Sequence, residues 1–156
     1  MIISPDHHLM TPKGEYYWTP ERVKAAWTTS MRQLEETLQQ RGDVTSVVLM
    51  VGIPGAGKST WLMKNKKPGV VYFDATFTNQ KARSPIIRIA QKYGVPVDVV
   101  VMDTSLKEAL RRNSTRTPDR RIPEDVLMRM HQALTSGGMP TTAEGIRTIR
   151  TIRSLA

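Results

Sequence analysis

The spacing of apolar and polar residues changes period several times along this chain, and each change marks an element. Residues Thr45 to Val51 form a short, β-branched apolar run without alternation, as expected of a strand buried on both faces. Two similar runs follow, Val70 to Phe73 closed by Asp74 and Val97 to Met102 closed by Asp103, and a shorter one, Met1 to Ser4, opens the chain. Helical spacing separates them. Thr19, Pro20 and Glu21 read as an N-cap, a proline in the first turn and an acidic start. The stripe Val23, Ala26, Trp27, Met31, Leu34 and Leu38 then predicts a helix to about Arg41, stopped by Gly42.

A helix is predicted from Thr60, another from about Ser84 to Tyr93 with Gly94 as its cap, and a third from Ser105 to about Asn113. Pro123, Glu124 and Asp125 open one more, to about Leu134. After the loop at Ser136 to Pro140, residues Ile146 to Ile152 support a strand and a short helix equally. Strands alternating with helices predict an α/β fold with a mainly parallel sheet covered on both faces, a three-layer sandwich. No repeat, low-complexity tract or linker divides residues 1–156, so a single domain is expected.

The most specific chemistry lies between the second strand and its helix. Gly52, Ile53, Pro54, Gly55, Ala56, Gly57, Lys58, Ser59 and Thr60 satisfy G-x-x-x-x-G-K-[ST], a phosphate-binding loop. Glycines at 52, 55 and 57 let the backbone turn with positive φ and bring successive N–H groups to an anion. The following helix adds its positive end. Lys58 supplies a charge for β- and γ-phosphates, and the Ser59 hydroxyl is placed to ligate Mg²⁺, an ion that uses few protein ligands. ATP or another nucleoside triphosphate with Mg²⁺ is therefore the expected cofactor set.

Composition narrows the rest. The chain has no cysteine, which removes disulfides, thiolate metal sites and cysteine nucleophiles. It has no apolar run of membrane-spanning length and no signal-peptide pattern, so a soluble cytoplasmic protein is expected. The net charge of +9 and pI near 10.2 favour a polyanionic partner such as nucleic acid over a small neutral metabolite. Part of that charge is concentrated in Arg111, Arg112, Arg116, Arg120 and Arg121; Arg147, Arg150 and Arg153 recur as a solvated face. His7 and His8 stand beside Asp6 without a third ligand at metal spacing, so no metal is assigned to them.

Taken with Asp74, Ala75, Thr76 and Phe77, with Arg111 to Arg116, and with Ile122, Pro123, Glu124, Asp125, Val126 and Leu127, the phosphate loop resembles the kinase domain of polynucleotide 5′-hydroxyl kinases. The resemblance covers most of the chain after Ser46. It implies transfer of the γ-phosphate of a nucleoside triphosphate to a 5′-hydroxyl end of DNA or RNA. One unit of the family is displaced: between the loop helix and Val70 there is no room for the strand and helix that carry its general-base aspartate. Ser4, Pro5 and Asp6, followed by Gly14, Glu15, Tyr16 and the helix from Pro20, resemble that unit. The resemblance thus implies a circular permutation, in which residues 1–45 form the acceptor and base segment, 46–135 the loop core and lid, and 136–156 the C-terminal segment.

The resemblance makes Asp6 the general base and Arg116 the lid arginine on the transferred phosphoryl group, with Arg112 one turn before it. Arg120 and Arg121 follow an insertion relative to the phage enzymes, and one of the two is expected on phosphate. Asp74 is the second acid, for a magnesium-bound water or for positioning the acceptor. Leu9 stands where the phage enzymes carry an arginine for the acceptor phosphate, which leaves His7, His8 or another surface for that contact. Tyr16, Tyr17 and Trp18 are candidates for stacking on a terminal base. The competing readings are a kinase of another hydroxyl, such as a nucleoside or a hydroxymethylated base in DNA, and a nucleotide-binding module without transfer activity.

Overall fold

The computed structural model describes residues 1–9, 13 and 19–153. Five strands form one sheet: β1 (Ile2–Ile3), β2 (Ser46–Val51), β3 (Val70–Asp74), β4 (Val97–Asp103) and β5 (Thr148–Arg153). Their order is β1-β3-β2-β4-β5, and every pairing is parallel, where the sequence predicts a mainly parallel sheet. The central strand β2 is buried at every position, as its unbroken apolar run requires. Although β1 has only two residues, its register against β3 is held by Met1, whose carbonyl accepts from the Tyr72 N–H at 2.9 Å.

Five α-helices flank the sheet among the described residues: α1 (Pro20–Gln40), α2 (Lys58–Asn65), α3 (Gln80–Lys92), α4 (Leu106–Ser114) and α5 (Glu124–Ala133). Helix α1 starts where the N-cap pattern predicts, with the Thr19 hydroxyl accepting from the Arg22 N–H at 3.2 Å. Trp27 of α1 packs on Phe73, and Trp61 of α2 packs on Tyr72. Adjacent strand residues point to opposite faces, so these two helices cover opposite sides of the sheet. Helix α3 lies beside α1, joined to it by Lys92 and Tyr93, which both bond the Glu35 carboxylate. None of the described helices is long and apolar enough to cross a membrane.

One predicted boundary moves by a turn, and one ambiguous segment is settled. Helix α3 begins at Gln80, four residues before the predicted Ser84, because the Asn79 side chain accepts from the Ala82 N–H at 2.8 Å and caps an earlier turn. Pro85 is then inside the helix, where it forgoes one backbone bond. The ambiguous segment before the C-terminus is a strand. Its repeat Thr-Ile-Arg-Thr-Ile-Arg has period three, which matches neither strand nor helix, and lateral pairing with β4 decides the matter.

Arg83, in α3, is 1% exposed, which its sequence position does not suggest. It forms a two-pronged ion pair with Glu144 at 2.8 and 3.0 Å. Its Nη1 also donates to the carbonyls of Phe77 and Gly138 at 2.8 and 2.7 Å. One guanidinium therefore joins α3, the turn after β3 and the chain returning to β5. The turn it holds includes Phe77 at φ +48°, an unusual conformation for a bulky residue.

Candidate active site

The phosphate loop leaves the carboxyl end of β2, and its shape follows from close packing as much as from backbone freedom. Gly55 and Gly57 have φ of +85° and +95°, the left-handed region predicted for them. Gly52 does not share it. A Cβ there would lie 3.1 Å from the Met102 carbonyl oxygen and 3.2 Å from the Ala56 Cβ, so its glycine serves close approach to β4.

Three loop carbonyls are tied back by side chains. Lys58 Nζ donates to Gly52 at 2.5 Å, Arg112 Nη1 to Gly55 at 2.8 Å, and Thr104 Oγ1 to Ala56 at 3.2 Å. The N–H groups of Lys58, Ser59 and Thr60, in the first turn of α2, have no intrahelical acceptor and are what such a helix start offers an anion.

The loop opens on a cleft of about 1570 Å³ that gathers residues from well-separated parts of the chain. Pro54, Gly55, Ala56, Gly57, Lys58, Ser59 and Thr60 line it from the loop, and Asp74 from the end of β3. Arg112, Arg116 and Arg120 line it from α4 and the segment that follows, and Asp6 and His7 from the N-terminus. Asp6 lies in a short 3₁₀ turn, Pro5–His8, that follows β1 directly. Because β1 pairs with β3, this turn is brought beside the end of the strand that carries Asp74.

The groups are near enough to change one another's proton affinity. Burial pushes the Lys58 ammonium down from its ordinary pKa; Asp74 and Asp6 oppose the shift and Arg116 reinforces it. Burial pushes the Asp74 carboxyl up, opposed by Lys58 and His7 and reinforced by Asp6. Two carboxylates and a lysine therefore share one electrostatic environment at the mouth of the phosphate loop.

The lid region is held at both ends. Asn113, 4% exposed, donates through Nδ2 to the Ile122 carbonyl at 2.7 Å and accepts from the Ile122 N–H at 2.9 Å, closing the loop between them. Arg121 turns its Nε to the Arg116 carbonyl at 2.8 Å and does not line the cleft, whereas Arg120 does. Of the two arginines weighed for a phosphate contact, Arg120 is thus the one on the cleft. Glu108 holds Arg112 Nε at 3.0 Å and Arg111, with its own carboxyl held down to about 2 by those two guanidiniums.

Leu9 is 2% exposed and packs inward, while its carbonyl accepts from Arg22 at 3.4 Å. The stacking candidates Tyr16, Tyr17 and Trp18 lie outside the described residues.

Sequence reasoning missed Thr104, Asn113, Glu108 and Arg83, all polar groups that act on backbone or on other side chains. Only Glu108 and Arg112 had a local signal, their i,i+4 spacing. Among the described residues no three His, Asp or Glu side chains cluster to cage a metal by themselves. The oxygen donors lining the cleft would fit a Mg²⁺ held largely by nucleotide phosphates, for which the Ser59 hydroxyl would be the protein ligand and Asp74 a second acid in the same cleft.

A parallel sheet with a phosphate loop at the carboxyl end of its central strand, beside two acids and an arginine-rich segment, defines a P-loop kinase-like α/β fold. Residues 62–136 match a family model, AAA_33, described as an AAA domain. No curated protein matches the chain.

Several solved structures are similar, three of them of one complex. One, of the AvrRxo1-ORF1:AvrRxo1-ORF2 complex with sulphate ions, has a chain 15% identical to this one, with a TM-score of 0.61 over 88% of this chain and 65% of that one. The native complex gives 15% identity, a TM-score of 0.61 and coverage of 93% and 66%; the complex with ATP gives 16%, 0.51, and 76% and 57%. The likeness is one of fold, and this chain spans about two thirds of the length of those it resembles.

Proposed function

We propose that this protein is a kinase that transfers the γ-phosphate of ATP or another nucleoside triphosphate to a 5′-hydroxyl end of DNA or RNA. The observation that carries the reading is that Asp6, from the very start of the chain, lines the same cleft as Lys58, Asp74 and the lid arginines. A hydroxyl acceptor needs such a carboxylate opposite the phosphate cradle. The strand order supports a circular permutation: β1 and α1 precede the phosphate loop in sequence, yet β1 lies at the sheet edge beyond β3. The net charge of +9 suits a polyanionic acceptor.

In this reading the acceptor oxygen forms a bond to the γ-phosphorus as the bond from that phosphorus to the β,γ-bridging oxygen breaks, and the nucleoside diphosphate leaves with the bridging oxygen. Asp6 orients the acceptor hydroxyl and receives its proton. Lys58 and the N–H groups at the start of α2 hold the donor phosphates. Arg116 and Arg120 stabilise the charge on the group in flight, and Arg112 steadies the loop. Asp74 orients groups at the base of the cradle. Mg²⁺, bound at Ser59, would supply further charge neutralisation on the β- and γ-phosphates.

The test is incubation with Mg²⁺ and γ-labelled ATP or GTP against 5′-hydroxyl DNA and RNA oligonucleotides, free nucleosides and hydroxymethylated duplex. Label is expected at the 5′ ends. Label only on nucleosides or hydroxymethyl groups, or none at all, overturns the reading.

A further inference from the structure

The cleft is chemically divided. Its loop and lid side carries Lys58, Arg112, Arg116 and Arg120, while the wall next to Asp6 includes Pro5, Leu9, Val23, Trp27 and Ala75, none of which can be charged. Its volume of about 1570 Å³ exceeds the ~300–1,000 Å³ usual for one small ligand, which leaves room for an acceptor beside a nucleotide.

Trp27 is the dominant group of the uncharged wall. Its ring is held by two core rings, near-perpendicular to Phe77 at 5.5 Å and 83° and tilted against Phe73 at 5.8 Å. Those two partners are sealed in the core at 1% and 0% exposure, whereas Trp27 is half-buried and borders the cleft. Val23 lies one helical turn earlier and borders the same space. An indole held by two core rings and bordering a cleft is a preorganised stacking surface.

Resting on the kinase reading, we infer that Trp27, flanked by Val23, is the acceptor's ring subsite: it receives the nucleobase of the residue that bears the 5′-hydroxyl, while the phosphates of donor and acceptor lie toward the basic side. The acceptor class is therefore a base-bearing sugar terminus, and a small aliphatic alcohol is a poor substitute. The hydroxyl stands between the base and the cradle, within reach of Asp6. Base stacking of this kind tolerates any base, so the subsite selects for a base without reading which one.

The test compares two 5′-hydroxyl oligonucleotides, identical except that one has an abasic sugar at its 5′ end. Binding is read by anisotropy of a 3′ fluorophore with a non-hydrolysable ATP analogue present. The wild-type protein is expected to favour the base-bearing end about tenfold, or about 1.4 kcal/mol, within the range for one stacked base. W27A should reduce the preference to within about twofold, and W27F should keep most of it. In turnover, W27A should raise KM for the base-bearing end without lowering kcat.

Equal wild-type affinity for both ends, or an undiminished preference in W27A, overturns the subsite. The wild-type comparison decides by itself if W27A does not fold. Discrimination in binding with no label transferred to either end would leave the subsite standing and remove the kinase reading. Equal transfer to both ends with equal affinity would do the reverse.

Discussion

Arg112 Nη1 donates to the carbonyl of Gly55 at 2.8 Å, and through this bond α4 grips the phosphate loop. The two elements are in contact as well as bonded: a Cβ on Gly55 would lie 3.3 Å from the Ala109 carbonyl oxygen and 3.6 Å from the Arg112 Cβ. Glu108 holds the same guanidinium at Nε, so Arg112 is aimed before any ligand arrives. R112A should weaken nucleotide binding about tenfold, the scale of one charge-assisted hydrogen bond in a partly exposed site. R112K should do little better, because an ammonium cannot reproduce the fork that bonds loop and Glu108 together. Titration calorimetry with a non-hydrolysable ATP analogue measures both.

Asp6 is assigned to the acceptor and not to the nucleotide. D6N should therefore reduce phosphoryl transfer by about 10²- to 10⁴-fold, the usual loss on removing a general base. Nucleotide affinity should stay within about twofold, since a base acting in the transition state contributes little to ground-state binding. Rapid-quench transfer assays beside calorimetry give both numbers, and a D6N protein with undiminished transfer would remove Asp6 from the mechanism.

Burial holds the Lys58 pKa below that of an ordinary lysine. Bound phosphate adds negative charge beside it and raises that pKa, so binding is coupled to proton uptake. The sign is fixed: affinity falls as pH rises through the depressed pKa of the unliganded protein, and it is unaffected well below that point. Calorimetry on the alkaline side, in buffers of different ionisation enthalpy, should register the proton taken up. K58M should abolish the uptake along with most of the affinity.

Arg83 and Glu144 are both buried, at 1% and 4% side-chain exposure. R83M leaves a carboxylate without its counter-ion and frees the carbonyls of Phe77 and Gly138, which should cost about 3–5 kcal/mol. R83M combined with E144Q should recover part of that, because the uncompensated charge is gone. Urea denaturation of the two proteins tests the difference.

Asp98 accepts from Arg147, Thr148 and Ser46, which join β4 to β5 and β2, and Arg147 is the main reason its carboxyl is held down to about 2. With the folded pKa below the unfolded one, the stabilisation is complete above about pH 4 and is lost as pH falls toward 2. Allowing for the exposure of Arg147, D98N should cost about 1 kcal/mol at neutral pH. That lowers Tm by about 2–4 °C, a gap that should close near pH 2 in thermal melts.

What the sequence determined by itself is local. The apolar runs at β2, β3 and β4, the Thr19 cap of α1, and the phosphate loop from Gly52 to Thr60 all follow from period, capping chemistry and a fixed motif, because each depends on neighbours a few residues away. The turn at Ser4 to Asp6 carries a functional expectation only through the family resemblance.

Tertiary structure alone decided the rest. Pairing of β1 with β3 carries Asp6 to the cleft, pairing with β4 makes a strand of the period-three segment at Thr148 to Arg153, and packing against β4 explains Gly52. Arg83, Thr104 and Asn113 look like ordinary surface residues in sequence. Each is buried because it satisfies carbonyls or a carboxylate distant in the chain, and such partners have no sequence spacing by which to find them.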